Sequence, residues 1–162
     1  METIPRYGFL TLTCHAHPET NPFDTLVRGS FASEDGEVTT VPGYYGGGDA
    51  YCVRFMPHTT GTWRYRVAIE GEEIAEGRFV CEPSDLPGPL RRHSANPYHF
   101  QFADGQPFYM LGNTAYNGVV TYRHRRQAFL DFLDHYAALD FNWLRLALYQ
   151  TTWPTRGHIL WP

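Results

Sequence analysis

Two stretches of the chain decide the architecture of its second half: FQFADGQPFYMLGNTAY, residues 100–116, and FNWLRLAL, residues 141–148. In the first stretch, the dipeptide Asp104-Gly105 is a strong signal for a tight hairpin turn. The apolar run after the turn predicts a strand, and the second stretch predicts another apolar strand.

The segment between these two strands predicts a helix. From Tyr122 to Ala138, aromatic and aliphatic side chains recur at helical spacing and form one apolar stripe. Thr121, immediately before this segment, is of a residue type that is favoured at helix N-caps. A strand, a helix and a strand in this order form the repeating unit of a parallel barrel or of a doubly wound sheet.

The first part of the chain, to about residue 83, follows a different pattern. Short β-prone runs alternate with turn signals, and the clearest run places Trp63, Tyr65, Val67 and Ile69 on one face. The runs are residues 7–14, 25–31, 37–41, 49–57, 61–69 and 77–81. Strands at this spacing predict an antiparallel, immunoglobulin-like β-sandwich.

A proline-rich segment, Pro83–Pro89, separates the two patterns. Proline fixes φ and lacks a donor, so this segment does not continue a helix or a central strand. We therefore expect a β-sandwich over residues 1–86, a linker over residues 87–97, and a second domain over residues 98–162.

Composition and charge exclude several classes of protein. The 162 residues carry a net charge of −4, without the basic stripe that a nucleic-acid partner would require. The sequence contains no apolar run long enough to span a bilayer, and its N-terminus lacks the pattern of a secretory signal. Three cysteines without paired spacing indicate buried thiols in a reducing compartment, with a disulfide between two of them as the alternative. These features favour a cytoplasmic protein and leave secretion open, and they do not indicate an oligomeric state.

Ordered short motifs cover nearly the whole chain. In the first part they are Asn21-Pro22-Phe23-Asp24, Pro42-Gly43-Tyr44-Tyr45, Tyr51-x-Val53-Arg54-Phe55-Met56-Pro57, Gly61-x-Trp63-x-Tyr65 and Gly77-x-Phe79-x-Cys81. In the second part they are His99-Phe100, Asp104-Gly105-x-Pro107-Phe108, Gly112-x-Thr114-x-Tyr116 and Phe141-Asn142-x-x-Arg145. With this set, the chain resembles the glycoside hydrolases in which a β-sandwich domain of unknown function precedes a cellulase-like (β/α)8 barrel.

The resemblance implies a retaining glycosidase that uses two carboxylates, one as nucleophile and one as general acid and base. In such barrels these carboxylates follow strands four and seven, which would lie beyond Pro162. The chain would then be the N-terminal part of the enzyme, with the sandwich and only the first strand–helix–strand unit of a truncated barrel. The resemblance also implies that Arg145 points into the barrel mouth and supports the nucleophile.

The acidic residues of the chain agree with that expectation. After Leu86 the carboxylates are Asp104, Asp131, Asp134 and Asp140. Asp104 falls in the predicted turn, two others fall on the predicted helix, and Asp140 enters the second strand at the face of a barrel that serves stability. We therefore expect no catalytic residue in this chain, only Arg145 in a supporting role.

Polar and aromatic residues follow both predicted strands, where barrel active sites form. Asn113, Thr114 and Tyr116 follow the first predicted strand, and Tyr149 and Trp153 follow the second. We expect them to contact a carbohydrate substrate, an oligosaccharide or a polysaccharide. The alternatives are ordinary loop capping for the first three and packing on neighbouring strands for the last two.

We expect neither a metal nor a cofactor. His15 and His17 could share a strand face, but a metal site requires three or four ligands. The serines lack the nucleophile-elbow pattern, and the cysteines lack an evident activating base. The alternative to part of an enzyme is a non-catalytic β-sandwich module for carbohydrate binding or interdomain packing, or a structural protein with an immunoglobulin-like sandwich.

Overall fold

The computed structural model describes residues 1–17 and 21–147 of the chain. It divides into two compact units. The first unit comprises residues 1–91 and 101–106, and the second comprises residues 92–100 and the described residues from 107 onward. Most regular structure is β-strand, in several sheets, with few helices. This confirms the mainly β character expected from the sequence, and the described strands do not close into a barrel. The expected boundaries at residues 86 and 97 stay a prediction.

In the described residues of the first unit, eight strands form two sheets. They are β1 Glu2–Pro5, β2 Leu10–His15, β3 Val27–Ser33, β4 Val38–Pro42, β5 Tyr44–Gly47, β6 Ala50–Phe55, β7 Gly61–Ile69 and β8 Glu72–Glu82. One sheet has the order β1-β8-β7-β3-β4, and the other has the order β2-β6-β5. All neighbours are antiparallel except β1 and β8, which run parallel with Ile4 opposite Cys81. The expectation of a wholly antiparallel arrangement was therefore wrong for this pair.

The two sheets share one aromatic core, which makes the unit sandwich-like. Phe31 of β3 stacks on Phe55 of β6 with ring centroids 4.0 Å apart, and Trp63 and Phe79 are fully buried beside them. Burial of each such side chain contributes about 1.5–3 kcal/mol. The whole cluster is Ile4, Leu10, Val27, Phe31, Tyr51, Val53, Phe55, Trp63, Val67, Ile69, Phe79 and Cys81.

Strand alternation follows the predicted pattern in β7. Trp63, Val67 and Ile69 are buried, whereas Arg64 and Arg66 are exposed on the other face. The glycine of β3 has a packing reason, because a Cβ on Gly29 would come within 2.4 Å of a methyl of Val53 in the other sheet. The absence of a side chain at this position allows the two sheets to approach each other.

Three short strands follow the sandwich strands: β9 Leu90–Arg92, β10 Phe100–Phe102 and β11 Pro107–Phe108. The predicted hairpin turn is confirmed, since Gly105 has a φ of 93° and Asp104 accepts a hydrogen bond from the Gln106 amide at 2.9 Å. The amide of Phe102 donates to the Gln106 carbonyl at 2.8 Å and closes the turn.

The second unit contains β12 Gly112–Ala115, α1 Gly118–His124, α2 Arg126–Ala137 and β13 Trp143–Leu146. Strands β12 and β13 are parallel neighbours, so the predicted strand–helix–strand order is present. The prediction of a single helix with Thr121 at its N-cap was wrong. Thr121 lies inside α1. The helical conformation is interrupted between α1 and α2 at Arg125, whose φ of −142° and ψ of 59° are not helical. None of the helices in residues 1–17 and 21–147 is long and apolar enough to cross a membrane.

Candidate functional site

The parallel pairing of β12 and β13 brings three of the predicted residues together. Thr114 lies directly opposite Arg145 in the register of the two strands. The Arg145 guanidinium stands 5.9 Å from the centre of the Tyr116 ring, just after β12. A cation over an exposed aromatic ring contributes about 0.5–1 kcal/mol. The carboxyl end of the strand pair therefore carries a hydroxyl, a phenol ring and a guanidinium as neighbours.

The fourth described residue, Asn113, has a different environment. Side chains alternate along a strand, and the Asn113 amide donates a 2.8 Å hydrogen bond to the hydroxyl of Tyr136 in α2. Its side-chain oxygen accepts from the Thr114 amide at 2.7 Å. The structure thus places Asn113 on the helix-facing side of β12, away from Thr114 and Arg145. Tyr149 and Trp153 lie outside the described residues.

Arg145 is exposed in this chain, although it lies within an apolar strand. Among residues 1–17 and 21–147, no carboxylate oxygen lies within 4.0 Å of its nitrogens. An exposed guanidinium needs no protein partner, because water solvates it. Arg145 can therefore receive a carboxylate or a polar ligand without first breaking an ion pair within the described chain.

Two residues at the opposite, amino-terminal end of this strand pair were not predicted as functional. Trp143 lies on the same strand face as Arg145, and its indole nitrogen would be 2.4 Å from a Cβ on Gly112. The indole N–H is buried without a hydrogen-bond partner among the described residues. Asn142 accepts from the Leu111 amide at 3.0 Å and donates to the Tyr109 carbonyl at 2.7 Å.

These contacts give Asn142 and Trp143 structural roles. Asn142 ties the chain entering β12 to the chain entering β13, and Gly112 leaves room for the indole ring. The period-2 pattern of the strand could have identified Trp143, since it precedes Arg145 by two positions.

The acidic residues of the second unit do not lie beside Thr114, Tyr116 and Arg145. Asp131 accepts a 2.8 Å hydrogen bond from Gln127 on α2, and Asp134 is on the same helix. Asp140 has a φ of 61° in the turn before β13. Within the described part of the chain, no carboxylate follows β12 or β13 directly.

The predicted histidine pair lies in the first unit beside a carboxylate. His15 Nδ1 is 3.1 Å from Asp49 Oδ1, and His17 Nε2 is 4.0 Å from Asp49 Oδ2. The hydrogen bond from His15 lowers the pKa of Asp49. Residues 1–17 and 21–147 contain no group of three or more His, Cys, Asp or Glu residues arranged to hold a metal ion.

The thiols of Cys14 and Cys81 are not activated. Burial raises the pKa of Cys14 and of Cys81, so both are protonated at neutral pH. All three cysteines are free. Cys14 faces the core with Tyr51, whereas Cys52 pairs with Thr13 and points to the other side of the sheet.

Comparison with known proteins gives two similarities. Residues 3–70 match a domain of unknown function, DUF5060. The structure is similar to a crystal structure from Bacteroides vulgatus ATCC 8482 that is described as a candidate glycoside hydrolase, with 26% sequence identity and a TM-score of 0.78. The similarity covers 90% of this chain and 28% of that one, so the chain spans a little more than a quarter of its neighbour's length. No curated protein matches the sequence. The chain is thus similar in structure to a protein described as a candidate glycoside hydrolase, and the match to a domain of unknown function covers most of its sandwich-like unit.

Proposed function

We propose that this chain is the N-terminal part of a glycoside hydrolase that cleaves O-glycosidic bonds with retention of configuration. The sandwich would be an accessory domain, and the segment from residue 98 onward would begin a (β/α)8 barrel. The observation that carries the proposal is the cluster of Thr114, Tyr116 and Arg145 at the carboxyl end of two parallel strands. Active sites of barrel enzymes form at this end.

Arg145 would support the catalytic nucleophile. A guanidinium beside a carboxylate keeps it ionised and oriented by charge-assisted hydrogen bonds. The exposure of Arg145 and the lack of a nearby carboxylate within the described chain leave its donors free for this task. The two catalytic carboxylates, about 5–5.5 Å apart in a retaining enzyme, would be supplied from outside these 162 residues.

The substrate would be a carbohydrate. The exposed ring of Tyr116 offers a face for a sugar ring, and the Thr114 hydroxyl can exchange hydrogen bonds with sugar hydroxyls. Asn113 would act indirectly, by holding β12 against α2 through Tyr136. Tyr149 and Trp153 stay proposed as the wall of a sugar subsite. The chain alone would be inactive, and no metal or other cofactor enters the reaction.

The test begins with the reading frame downstream of the Pro162 codon. We expect it to continue and to encode two strand-ending glutamates. The product of the whole frame should hydrolyse aryl glycosides with retained anomeric configuration, whereas the 162-residue chain should not. In the whole product, Arg145→Ala should lower kcat by about 100-fold. Arg91→Ala, which removes an exposed arginine from β9, is the matched control and should leave kcat unchanged.

Three results would contradict the proposal. They are a frame that stops after Pro162, hydrolysis by the isolated chain, and an Arg145→Ala variant with undiminished kcat. The first would favour the alternative, a non-catalytic β-sandwich module for carbohydrate binding or interdomain packing.

A further inference from the structure

The outer face of the five-stranded sheet contains a groove that the candidate site does not use. Its volume is about 590 Å³, and it belongs entirely to the first unit. It is formed by strands β3, β4, β7 and β8. The residues that line it include Ser30, Val38, Arg64, Arg66, Glu76 and Arg78. The groove is open to solvent and spans four strands of the sheet, which gives an extended ligand room to bind.

Strand alternation concentrates positive charge on this face. Arg64 and Arg66 project outward from β7 because Trp63 and Val67 take the inward positions. Arg78 projects outward from β8 because Phe79 is buried. All three arginines are exposed. An acidic protein with a net charge of −4 thus has three guanidinium groups along one groove.

One of the three arginines is neutralised. Arg66 lies 3.6 Å from Glu73 and 3.9 Å from Glu76, so two carboxylates surround its guanidinium. Such pairing is usual on a sheet surface, because opposite charges on neighbouring strands attract each other.

Arg64 and Arg78 are in a different situation. They are directly opposite each other in the register of β7 and β8, and like charges in this position repel. Among residues 1–17 and 21–147, neither has an ion-pair or hydrogen-bond partner. Glu34 lines an adjoining depression with Arg64, but it does not approach within ion-pair distance. Glu76 also lines the groove, but its carboxylate pairs with Arg66, so within the described chain the guanidinium groups of Arg64 and Arg78 are left without an ion-pair partner.

We propose that this groove binds a polysaccharide whose sugars carry carboxylates, a polyuronate, with Arg64 and Arg78 as its main contacts. The planar guanidinium presents a fork of N–H donors that matches a carboxylate. A single exposed ion pair adds little affinity, so the ligand must repeat its charge along its length to bind well.

The choice of a glycan over an acidic peptide rests on the proposed function, because the neighbour in structure is described as a glycoside hydrolase. The groove makes the sandwich a docking module that would hold an acidic polysaccharide independently of any catalytic residue. A nucleic acid is disfavoured, since the groove has few cations and the chain as a whole is acidic.

The experiment titrates the 162-residue chain with polygalacturonate and follows binding by calorimetry at low salt. The same polymer with its carboxylates methyl-esterified serves as the matched neutral ligand. We expect binding to polygalacturonate that weakens as salt rises, and no binding to the ester. Arg64→Ala and Arg78→Ala should each weaken binding by about fivefold, and the double variant by about twentyfold or more.

Arg28→Ala is the control variant. Arg28 is exposed on β3 in the same sheet, with Ala68 and Pro42 as its cross-strand neighbours, and it does not line the groove. Its loss should change affinity by less than about twofold. Arg64→Lys and Arg78→Lys keep the charge without the forked donors and should bind more weakly than the unchanged chain. Thermal unfolding of each variant reports whether the sandwich is intact.

Four outcomes overturn the proposal: no binding to polygalacturonate, equal binding to its methyl ester, full binding by the folded double variant, and equal loss with Arg28→Ala. Preferential binding of poly-L-glutamate would overturn the glycan assignment, and preferential binding of dextran sulfate would overturn the carboxylate assignment. The titration measures docking and not hydrolysis. An active whole enzyme with an inert groove would refute only this inference, and a binding chain with an inactive whole product would refute only the proposed function.

Discussion

Replacing Arg78 with glutamate should raise the free energy of unfolding of the first unit. In the native sheet Arg78 faces Arg64 across β7 and β8, and directly opposed like charges destabilise the folded state. The substitution removes this repulsion and creates an attractive cross-strand pair. Opposed charges of unlike sign contribute roughly 0.2–1 kcal/mol.

The net gain should be about 0.5–1.5 kcal/mol, since loss of repulsion and gain of attraction add together. Two effects reduce it: glutamate is less favourable than average in strands, and Glu76 lies two positions away on the same face. For a unit of this size, 1 kcal/mol corresponds to a rise in Tm of about 4–8 °C.

The assay is thermal and urea unfolding followed by circular dichroism at 50 mM and 500 mM NaCl, both chosen concentrations. The gain should shrink at the higher salt, because both charges are exposed. Arg28→Glu is the matched control, since its cross-strand neighbours carry no charge, and it should change stability by less than about 0.5 kcal/mol.

A double variant tests whether the sign of the charges at the two positions explains the gain. Arg64→Glu with Arg78→Glu restores a like-charged pair, now negative, and should lose most of the gain. Lower stability of Arg78→Glu than of the original chain, or a gain that is independent of salt, would refute the reasoning. A confirmed gain would mean that the sheet retains a destabilising pair, as functional surfaces often do.

Three further predictions concern the first unit. Phe79→Ala should destabilise the unit by about 3–5 kcal/mol, because it removes a fully buried ring from the core; chemical denaturation measures this, and a loss below about 1 kcal/mol would contradict the described packing. Gly77→Ala should cost about 1–3 kcal/mol, since the new Cβ would lie 2.6 Å from the Cζ of Tyr65; an unchanged urea midpoint would show that the ring can move at no cost. The lowered pKa of Asp49 implies a contribution to stability that is present above the pKa of this carboxyl in the unfolded chain and lost as pH falls through its lower folded value. In an NMR titration His15→Ala should move the Asp49 midpoint upward, and an unmoved midpoint would exclude the hydrogen bond as the cause.

The sequence predicted the strands that have one buried face. In β6 and β7 the alternation of large apolar residues with polar ones is a local pattern, and the burial of Tyr51, Val53, Phe55 and Trp63 confirms it. The hairpin turn at Gly105 could also be predicted from the sequence, because its left-handed φ strongly favours glycine. Strands β1 and β5 escaped prediction. Pro5 lacks a backbone donor and Gly46-Gly47 lacks side chains, features that are rare inside strands, yet both strands lie at sheet edges, where such residues are tolerated.

The candidate site was predictable only in part. Arg145, Thr114 and Tyr116 could be placed at a strand end from the strand–helix–strand order alone. The orientation of Asn113 toward Tyr136, and the support that Asn142 gives to both strands, depend on contacts that span 23 and 33 residues of the chain. The break at Arg125 also has no signal in the apolar stripe, because both helices keep the same helical spacing across it.

What the sequence determined by itself is therefore local: which residues form strands, which faces they bury, and where the chain turns. Tertiary structure alone decided the partners, including the parallel pairing of β1 with β8 and the opposition of Arg64 to Arg78. The physical reason is register. A slip of one residue between two strands would turn every facing side chain to the other side of the sheet, and the buried rings of Trp63 and Phe79, opposite each other in the core, hold the one register in which the two arginines meet.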